Sequence, residues 1–331
     1  MTKTIRWGIL GCGRIARKFA SDLKLVEGAT IVAAGARNIK TAEDFANEFN
    51  IPHCHQGYER LAANPEVDVI YIATPHNFHY ENTLLCLQHN KAVLCEKAFA
   101  VNTKQATEMI CLAKKKNLFL MEALWSKFLP HYNKMQELLH NGLLGDIKSM
   151  LVNFGFKPME PIPQRLFDPS LAGGTMLDIG IYNVFFALSV LGKPDFINAI
   201  IIPSSTNVDE QCAVTFKYNN GAIAQLFSSF ATNLATEADI SGTNGRLKLT
   251  TRFYEPSANI EYYPGRIDSR QIIEVQKEAG FGYQYEARHV CECLRNGITE
   301  SPVMTHANTI ELMETLDAIR KIAGIHYKED E

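Results

Sequence analysis

The sequence lacks a strong charge of either sign, and this absence excludes two classes of partner. Its 331 residues contain 33 Lys and Arg against 36 Asp and Glu, which gives a formal net charge of −3 at pH 7. Binding to nucleic acid or to an anionic membrane needs a clustered basic surface, which this balance does not indicate. We therefore expect neither nucleic acid nor a membrane as a partner.

Long apolar runs are also missing. The longest, residues 181–192, is interrupted by Asn183 and Ser189 and is shorter than the roughly 20 apolar residues of a membrane-spanning helix. No basic and then apolar leader opens the chain. The hydrophobic fraction of 46% is that of an ordinary globular protein. Together these features predict a cytoplasmic protein.

Paired cysteine spacing is absent as well. The eight cysteines fall singly on apolar segments, except for Cys291-Glu292-Cys293, and none has the C-x-x-C spacing of a zinc site. No metal is therefore expected. Reduced, buried thiols are the interpretation that we favour. A redox role for Cys291 and Cys293 is the alternative to packing on one amphipathic helix.

A glycine-rich turn near the start is the most informative feature that the sequence does contain. A strand-like run, residues 5–10, enters the turn, and a helix-like stretch, residues 14–25, follows it. The turn reads Gly11-Cys12-Gly13-Arg14-Ile15-Ala16. In this G-x-G-x-x-G/A pattern the first glycine permits a tight turn and the second lets a pyrophosphate approach the backbone. The helix N-terminus then holds the phosphate. A strand-to-helix turn without a ligand is the alternative.

The length of the chain predicts two domains, the first covering residues 1–122. There, strand and helix signals alternate at the spacing of βαβ units. The predicted strands are residues 5–10, 30–36, 67–73, 92–95 and 118–121, and the predicted helices are residues 14–25, 41–50, 77–90 and 103–116. Continuously apolar strands are typical of a parallel sheet covered on both faces. We expect an α/β Rossmann domain with a doubly wound parallel sheet.

Residues 123–331 predict a second domain of different architecture. The predicted elements are helices at 128–141, 175–191, 283–296 and 305–323, a strand at 146–157, and hairpins at Asn219-Asn220-Gly221 and Thr243-Asn244-Gly245. Successive hairpins indicate a C-terminal α+β domain with a large, mostly antiparallel open sheet. We leave open that its C-terminal helices pack back on the first domain.

The second predicted strand indicates which dinucleotide the turn prefers. NAD-binding domains place an acid about 20 residues beyond the glycines for the ribose 2′-hydroxyl. Residues 28–42 contain no Asp or Glu, and the strand runs into Arg37 instead. A guanidinium at that place can pair with a 2′-phosphate and stack on the adenine. NADP is therefore favoured over NAD. A solvated arginine at the start of a helix is the alternative.

Three further segments contain groups able to do chemistry. Residues 74–79 and Glu96-Lys97 each follow an apolar strand directly, and ligands of doubly wound sheets lie beyond the carboxyl ends of strands. A surface ion pair is the alternative for Glu96-Lys97. Asp178 and Tyr182 stand four residues apart in an apolar helix and would share one face. A nearby lysine would lower the tyrosine pKa and let the phenol exchange a proton with a substrate hydroxyl. Simple packing of Tyr182 is the alternative.

These segments together resemble the Gfo/Idh/MocA oxidoreductases. The resemblance rests on residues 11–16, on residues 73–79, on Glu96-Lys97 and on Asp178-Ile179-Gly180, and it spans nearly the whole chain. It implies that Lys97 is the catalytic lysine near the nicotinamide and that Asp178 contacts the substrate. Ala98 departs from the pattern, since a proline usually follows the lysine.

Tyr182 and residues 121–130 resemble one branch of that family more closely. This branch contains dimeric dihydrodiol dehydrogenase and NADP-dependent D-xylose dehydrogenase, and its tyrosine is the proposed acid and base. The resemblance implies that Trp125 lines the cofactor and substrate pocket, whereas Lys127 stands where arginine is usual. Phe154 is our choice as a pocket wall, with core packing left open.

We therefore expect an NADP-dependent oxidoreductase that transfers hydride between nicotinamide C4 and a sugar, polyol or vicinal diol, or the matching carbonyl. The expected catalytic residues are Lys97, Asp178 and Tyr182, and Trp125 and Phe154 join them in the substrate site. The expected cofactor contacts are Gly8, Gly11, Gly13, Arg14, Ile15, Arg37, Ala73, Thr74, Pro75, Asn77, His79, Glu96, Lys97 and Trp125. The family resemblance also implies a homodimer or homotetramer formed through the C-terminal sheet. A non-catalytic nucleotide sensor and a methyltransferase-like enzyme are the alternative functions.

Overall fold

The computed structural model describes residues 3–265 and 269–331, which form two compact units. The first unit comprises Met1–Lys127 with Glu278–Ile310, and the second comprises Phe128–Lys277 with Glu311–Glu331. In this division the boundary falls after Lys127, whereas residue 122 was expected, and Glu278–Ile310 belongs to the first unit, a possibility left open above for the C-terminal helices. Local sequence pattern shows where an element starts and stops, whereas the return of a distant segment to the first unit depends on tertiary packing.

The bounds of the elements follow closely from the sequence pattern. The strands are β1 Ile5–Leu10, β2 Ala29–Ala36, β3 His53–Gln56, β4 Val69–Ile72, β5 Ala92–Glu96, β6 Leu120–Ala123, β7 Ile147–Gly155, β8 Phe196–Pro203, β9 Asp209–Lys217, β10 Ile223–Ser229, β11 Ala238–Gly242, β12 Gly245–Thr250, β13 Asn259–Tyr263 and β14 Gln271–Ile273. The α-helices are α1 Arg14–Leu23, α2 Ile39–Phe49, α3 Tyr58–Ala62, α4 His79–Gln88, α5 Thr103–Lys116, α6 Pro130–His140, α7 Ile181–Leu191, α8 Tyr283–Arg295 and α9 His306–Ala323.

The first unit is built on a six-stranded sheet in the order β3-β2-β1-β4-β5-β6. Every neighbouring pair is parallel, which confirms the doubly wound Rossmann sheet. Each residue of β4 is buried, as its continuous apolar run predicts. Sequence reasoning missed β3 because that short edge strand is polar and half-buried and has no apolar pattern. Since all strands point the same way, the loops after β1, β2, β4, β5 and β6 lie at one edge.

The second unit contains an eight-stranded sheet in the order β14-β13-β12-β11-β7-β10-β9-β8. Its neighbouring pairs are antiparallel except for β7 and β10, which confirms the mostly antiparallel sheet. Both predicted hairpins are present, joining β9 to β10 and β11 to β12. Helix α7 lies against β7 and β10 and covers one face of this sheet.

One helical segment, Pro169–Leu191, is long and apolar enough to cross a membrane by length and composition alone. Of its most apolar window, 78% is buried inside the protein, which favours a core helix. Within it the backbone forms a π-helical turn, Met176–Gly180, before α7 begins. The continuous α-helix predicted for residues 175–191 is therefore wrong at its start.

The cysteines are mostly interior. Six of the eight are buried, the exceptions being half-buried Cys54 and exposed Cys111. Cys291 and Cys293 lie on α8 and are both buried. Burial raises the pKa of the Cys293 thiol to about 11, which is the opposite of what a reactive thiolate needs. Their placement favours packing over a redox role.

Candidate active site

The glycine-rich turn connects β1 to α1 and leaves room for a ligand. Gly11 has φ +94°, and a Cβ there would lie 3.0 Å from the carbonyl oxygen of Ala73, so a larger residue would be strained and crowded. At exposed Gly13 nothing lies within 4 Å of an ideal Cβ. Across the described residues no side chain caps the first amides of α1. This helix N-terminus therefore fits the pyrophosphate of a dinucleotide.

The other residues predicted around this turn take different places. Arg14 is exposed and Ile15 half-buried in the first turn of α1. Gly8 is buried inside β1, where a Cβ would meet Val67 at 3.1 Å. Sequence reasoning missed Arg17, whose Nη1 donates to the carbonyl oxygen of Cys12 at 2.8 Å. The sequence feature that could have identified this contact was a basic residue one turn into α1.

Arg37 follows β2 directly and is exposed. Its guanidinium carbon lies 5.7 Å from the centre of the Phe78 ring. The nearby cation Lys40 already pairs with Asp44 at 3.0 Å. Arg37 thus stands at the carboxyl edge where dinucleotide-binding domains contact the ribose 2′ position.

The loop after β4 lies at the same edge. Ala73, Thr74, Pro75 and Asn77 are half-buried there. His79 is fully buried, with Nδ1 2.7 Å from the carbonyl oxygen of Ala98 and Nε2 2.8 Å from that of Thr74. Burial lowers the pKa of His79 to about 4, so the ring is neutral at neutral pH. Both ring nitrogens face backbone carbonyls, and His79 links two loops of the edge.

Glu96 and Lys97 end β5. Glu96 is only 6% exposed and accepts a hydrogen bond from the Tyr71 hydroxyl. The alternative of a surface ion pair is therefore wrong. Lys97 is half-buried at the end of the strand. Beside them, on β6, the buried Glu122 accepts a hydrogen bond from the amide of Phe99 at 3.2 Å.

Sequence reasoning missed Glu122 as a site residue. Burial raises the pKa of its carboxyl to about 7, since the ionised form loses its hydration there. The signal was an acid inside the apolar run of residues 118–124. An acid in a buried strand needs a reason, and its bond to the Phe99 amide supplies one.

Trp125 follows β6 and is nearly fully buried. Its ring stacks on that of Tyr283 with centres 4.5 Å apart and an angle of 6° between the planes. Tyr283 is the first residue of α8. Because it lies far from Trp125 in the chain, the local sequence around Trp125 does not predict this contact. Lys127 donates from Nζ to Oδ1 of Asn308 at 2.9 Å, which ties the end of this segment to α9.

The second unit positions Asp178 and Tyr182. Asp178 lies in the π-helical turn, and its Oδ1 accepts a hydrogen bond from Nη1 of Arg165 at 2.8 Å. The side chain of Asp178 is 8% exposed, whereas that of Arg165 is 37% exposed. The pair thus joins a nearly buried carboxylate to a cation at the surface. Arg165 was also missed, because it lies in a single 3-10 turn, Gln164–Leu166, 13 residues away.

Tyr182, the predicted acid and base, belongs to an aromatic cluster with Phe154 and Tyr254. The ring centres of Phe154 and Tyr254 are 4.3 Å apart and nearly parallel. Tyr182 lies 5.0 Å from Tyr254 and 5.8 Å from Phe154. Tyr254 is half-buried in the loop between β12 and β13. Its place next to Tyr182 depends on the sheet pairing and could not be read from local sequence.

The arrangement offers no metal centre in the part of the chain that the structure describes. No group of three His, Cys, Asp or Glu side chains there could hold a metal ion. The first unit offers an anion site with Arg37, Lys97 and a set of buried carboxyls. The second offers a phenol, a paired carboxylate and an aromatic surface.

Comparison with known proteins gives a consistent result over nearly the whole chain. Residues 5–124 match the family model described as oxidoreductase family, NAD-binding Rossmann fold, and residues 132–248 match the GFO/IDH/MocA C-terminal domain. A trans-1,2-dihydrobenzene-1,2-diol dehydrogenase of Mus musculus is 38% identical over 335 residues, which covers 98% of this chain and 99% of the relative. The Homo sapiens protein of the same name is 36% identical over 334 residues, with the same coverage. An aldose-aldose oxidoreductase from Caulobacter crescentus has the same fold, with TM-score 0.88, 23% identity and coverage of 97% and 98% of the two chains.

Proposed function

Because the chain belongs to the Gfo/Idh/MocA oxidoreductase family, we propose that it is an NADP-dependent dehydrogenase whose substrate is a vicinal diol, polyol or sugar, or the matching carbonyl. The family makes the chain an oxidoreductase with an NAD(P)-binding Rossmann domain. The observation that carries the finer proposal is Tyr182 placed within an aromatic cluster, one π-helical turn from the paired carboxylate Asp178. The names of the full-length relatives support a diol as the substrate.

Each side chain has a role in the proposed oxidation. When bound, the nicotinamide supplies the hydride acceptor at C4. Tyr182 takes the proton of the substrate hydroxyl while the hydride leaves the same carbon, so that a carbonyl forms. The ammonium group of Lys97 favours the phenolate form of Tyr182 and orients the substrate oxygen. Asp178, held by Arg165, accepts a hydrogen bond from a second hydroxyl.

The aromatic cluster favours a substrate with one apolar face. Phe154 and Tyr254 stack with ring centres 4.3 Å apart and form an apolar layer beside the phenol, in which Phe154 is 6% exposed and Tyr254 half-buried. Aromatic rings bind apolar or ring-shaped groups through their faces, while the polar tip of tyrosine stays available. A cyclic vicinal diol offers both an apolar ring and two hydroxyls, and so matches this set better than a short linear polyol.

The preference for NADP rests on Arg37. It lies exposed after β2, and residues 28–42 contain no carboxylate that would repel a 2′-phosphate. A guanidinium binds phosphate through two parallel hydrogen bonds and also stacks on an adenine ring.

The test is turnover measured by absorbance at 340 nm with NADP and with NAD. The panel contains aldoses, polyols, cyclic trans-dihydrodiols and α-dicarbonyls. Lys97→Met and Tyr182→Phe should lose activity. The controls are Lys115→Met at an exposed lysine and Tyr80→Phe at a half-buried tyrosine that bonds Glu108, and both should keep it. Turnover that survives both active-site substitutions contradicts the mechanism. Tight NADP binding without turnover on any substrate would instead support a nucleotide sensor.

We also propose that the outer face of the second sheet joins two or more copies of the chain. The face opposite α7 carries exposed Leu151, Ile200, Ile202 and Ile223, each 45–64% exposed. Several large apolar side chains exposed on one face of a sheet favour an interaction site there. Light scattering of the purified protein should give the mass of a dimer or tetramer, and a monomer at micromolar concentration would refute the proposal.

A further inference from the structure

The peptide group between Ala98 and Phe99 is bound at both of its polar atoms by buried side chains. Its carbonyl oxygen lies 2.7 Å from Nδ1 of His79, and its N–H donates to Oε1 of Glu122 over 3.2 Å. Ala98, Phe99, His79 and Glu122 are each at most 1% exposed. Water cannot replace either bond at such a place, so losing one leaves a backbone group unsatisfied.

We propose that His79 and Glu122 are positioning residues, which hold Lys97 in place by fixing the peptide group between Ala98 and Phe99, one residue beyond it. The inference rests on the proposed function, because it gives Lys97 a part in the reaction. The two side chains come from different elements, α4, which follows β4 in the chain, and β6, which pairs with β5. A peptide bound at both its oxygen and its nitrogen cannot rotate about the chain. The backbone of Lys97 is thereby fixed at the end of β5.

The neutral His79 ring carries one proton, and both of its partners are carbonyl oxygens. We assign that proton to Nδ1, which faces Ala98. The carbonyl of Ala98 is fully buried, whereas Thr74 is half-buried and its carbonyl can accept from water. Leaving the buried carbonyl without a donor is the costlier choice.

Matched substitutions separate the two bonds of His79. The amide nitrogen of asparagine takes about the place of Nδ1, and that of glutamine takes about the place of Nε2. We expect His79→Gln to lower kcat on the order of 10²-fold, because small misplacement of a reacting group costs about that much. His79→Asn should keep kcat within a few-fold. The control is His89→Gln. His89 directly follows α4, and its Nδ1 lies 3.0 Å from the carbonyl oxygen of Leu85 in that helix.

Glu122 is tested in the same way. Glu122→Gln keeps an oxygen that accepts from Phe99, so kcat should stay near the wild-type value. Glu122→Met removes the acceptor and should lower kcat on the order of 10²-fold, with little change in the Kd for NADP. Should the methionine variant fail to fold, the two His79 variants and Glu122→Gln still decide the matter.

A second measurement does not depend on turnover. Hydrogen–deuterium exchange of the Phe99 amide should be faster in Glu122→Met and in His79→Gln than in the wild type, Glu122→Gln and His79→Asn. If Lys97→Met proves fully active, the proposed function fails while this exchange pattern still reports the bonds. The inference is overturned if exchange is unchanged, if exchange rises with no loss of kcat, or if the conservative variants are as impaired as their partners.

Discussion

Replacing Glu122 with glutamine should make the stability of the first unit less dependent on pH. Burial raises the pKa of this carboxyl from its ordinary 4.5 to about 7, so folding favours its protonated form. A raised pKa contributes stability that is fully present below pH 4.5 and is lost as pH rises through 7. At about 1.36 kcal/mol per pKa unit, the loss amounts to roughly 3 kcal/mol. Glutamine is neutral at every pH and avoids this loss.

Urea unfolding followed by tryptophan fluorescence measures the effect. The chain contains two tryptophans, and both Trp7 and Trp125 lie in the first unit, so the signal reports that unit. The free energies of wild type and Glu122→Gln should be similar at pH 4.5. At pH 8 the variant should be the more stable by up to about 3 kcal/mol. The control is Glu137→Gln at an exposed carboxyl. A difference between variant and wild type that does not grow with pH would refute the reasoning.

Three further predictions concern the substrate and cofactor. Arg37→Ala should lower the ratio of kcat/KM for NADP to that for NAD by about 10- to 100-fold, since a charged hydrogen bond is worth about 1.5–3 kcal/mol; an unchanged ratio contradicts the assignment. Arg165→Met should raise KM for a diol about tenfold with an unchanged Kd for NADP, because Asp178 loses the bond that Arg165 donates. Arg165→Lys should restore part of the loss. Tyr254→Ala should raise KM for a cyclic diol about tenfold but not for a linear polyol, because the ring that stacks on Phe154 is lost. Equal effects on the KM of both substrates would argue against an aromatic wall in the substrate site.

The cofactor edge could be predicted from sequence because each part of it is local. Gly11, Gly13, Arg37 and Lys97 all follow a strand within a few residues, and a parallel sheet brings the ends of its strands to one edge. The period of the apolar residues therefore determined both the fold and the place of these groups. The predicted strands of the first unit agree with the observed ones to within two residues, apart from the polar edge strand β3.

The supporting residues could not be predicted in this way. Arg165 and Tyr254 contact predicted site residues of the second unit from irregular segments, and Tyr283 contacts Trp125 of the first unit from a distant helix, so their neighbours in sequence carry no periodic signal. The regular helix expected around Asp178 also failed. There the buried carboxylate Asp209 bonds the Thr175 hydroxyl and the Met176 amide, both at 2.6 Å, where the π-helical turn begins.

Glu122 and His79 show what kind of signal was overlooked. Each is a polar residue in an otherwise buried position, and such a residue costs free energy unless a partner satisfies it. Both bond the backbone of the loop after β5, and a bond to a peptide group leaves no motif of paired residue types in the sequence. A buried polar residue in a strand or helix beside a reactive loop is thus informative even when its partner is a peptide group. The kind of side chain found there is determined by the backbone atom that it bonds. Histidine, with a donor at Nδ1, stands at the carbonyl oxygen of the peptide between Ala98 and Phe99, and glutamate, with an acceptor, stands at its N–H.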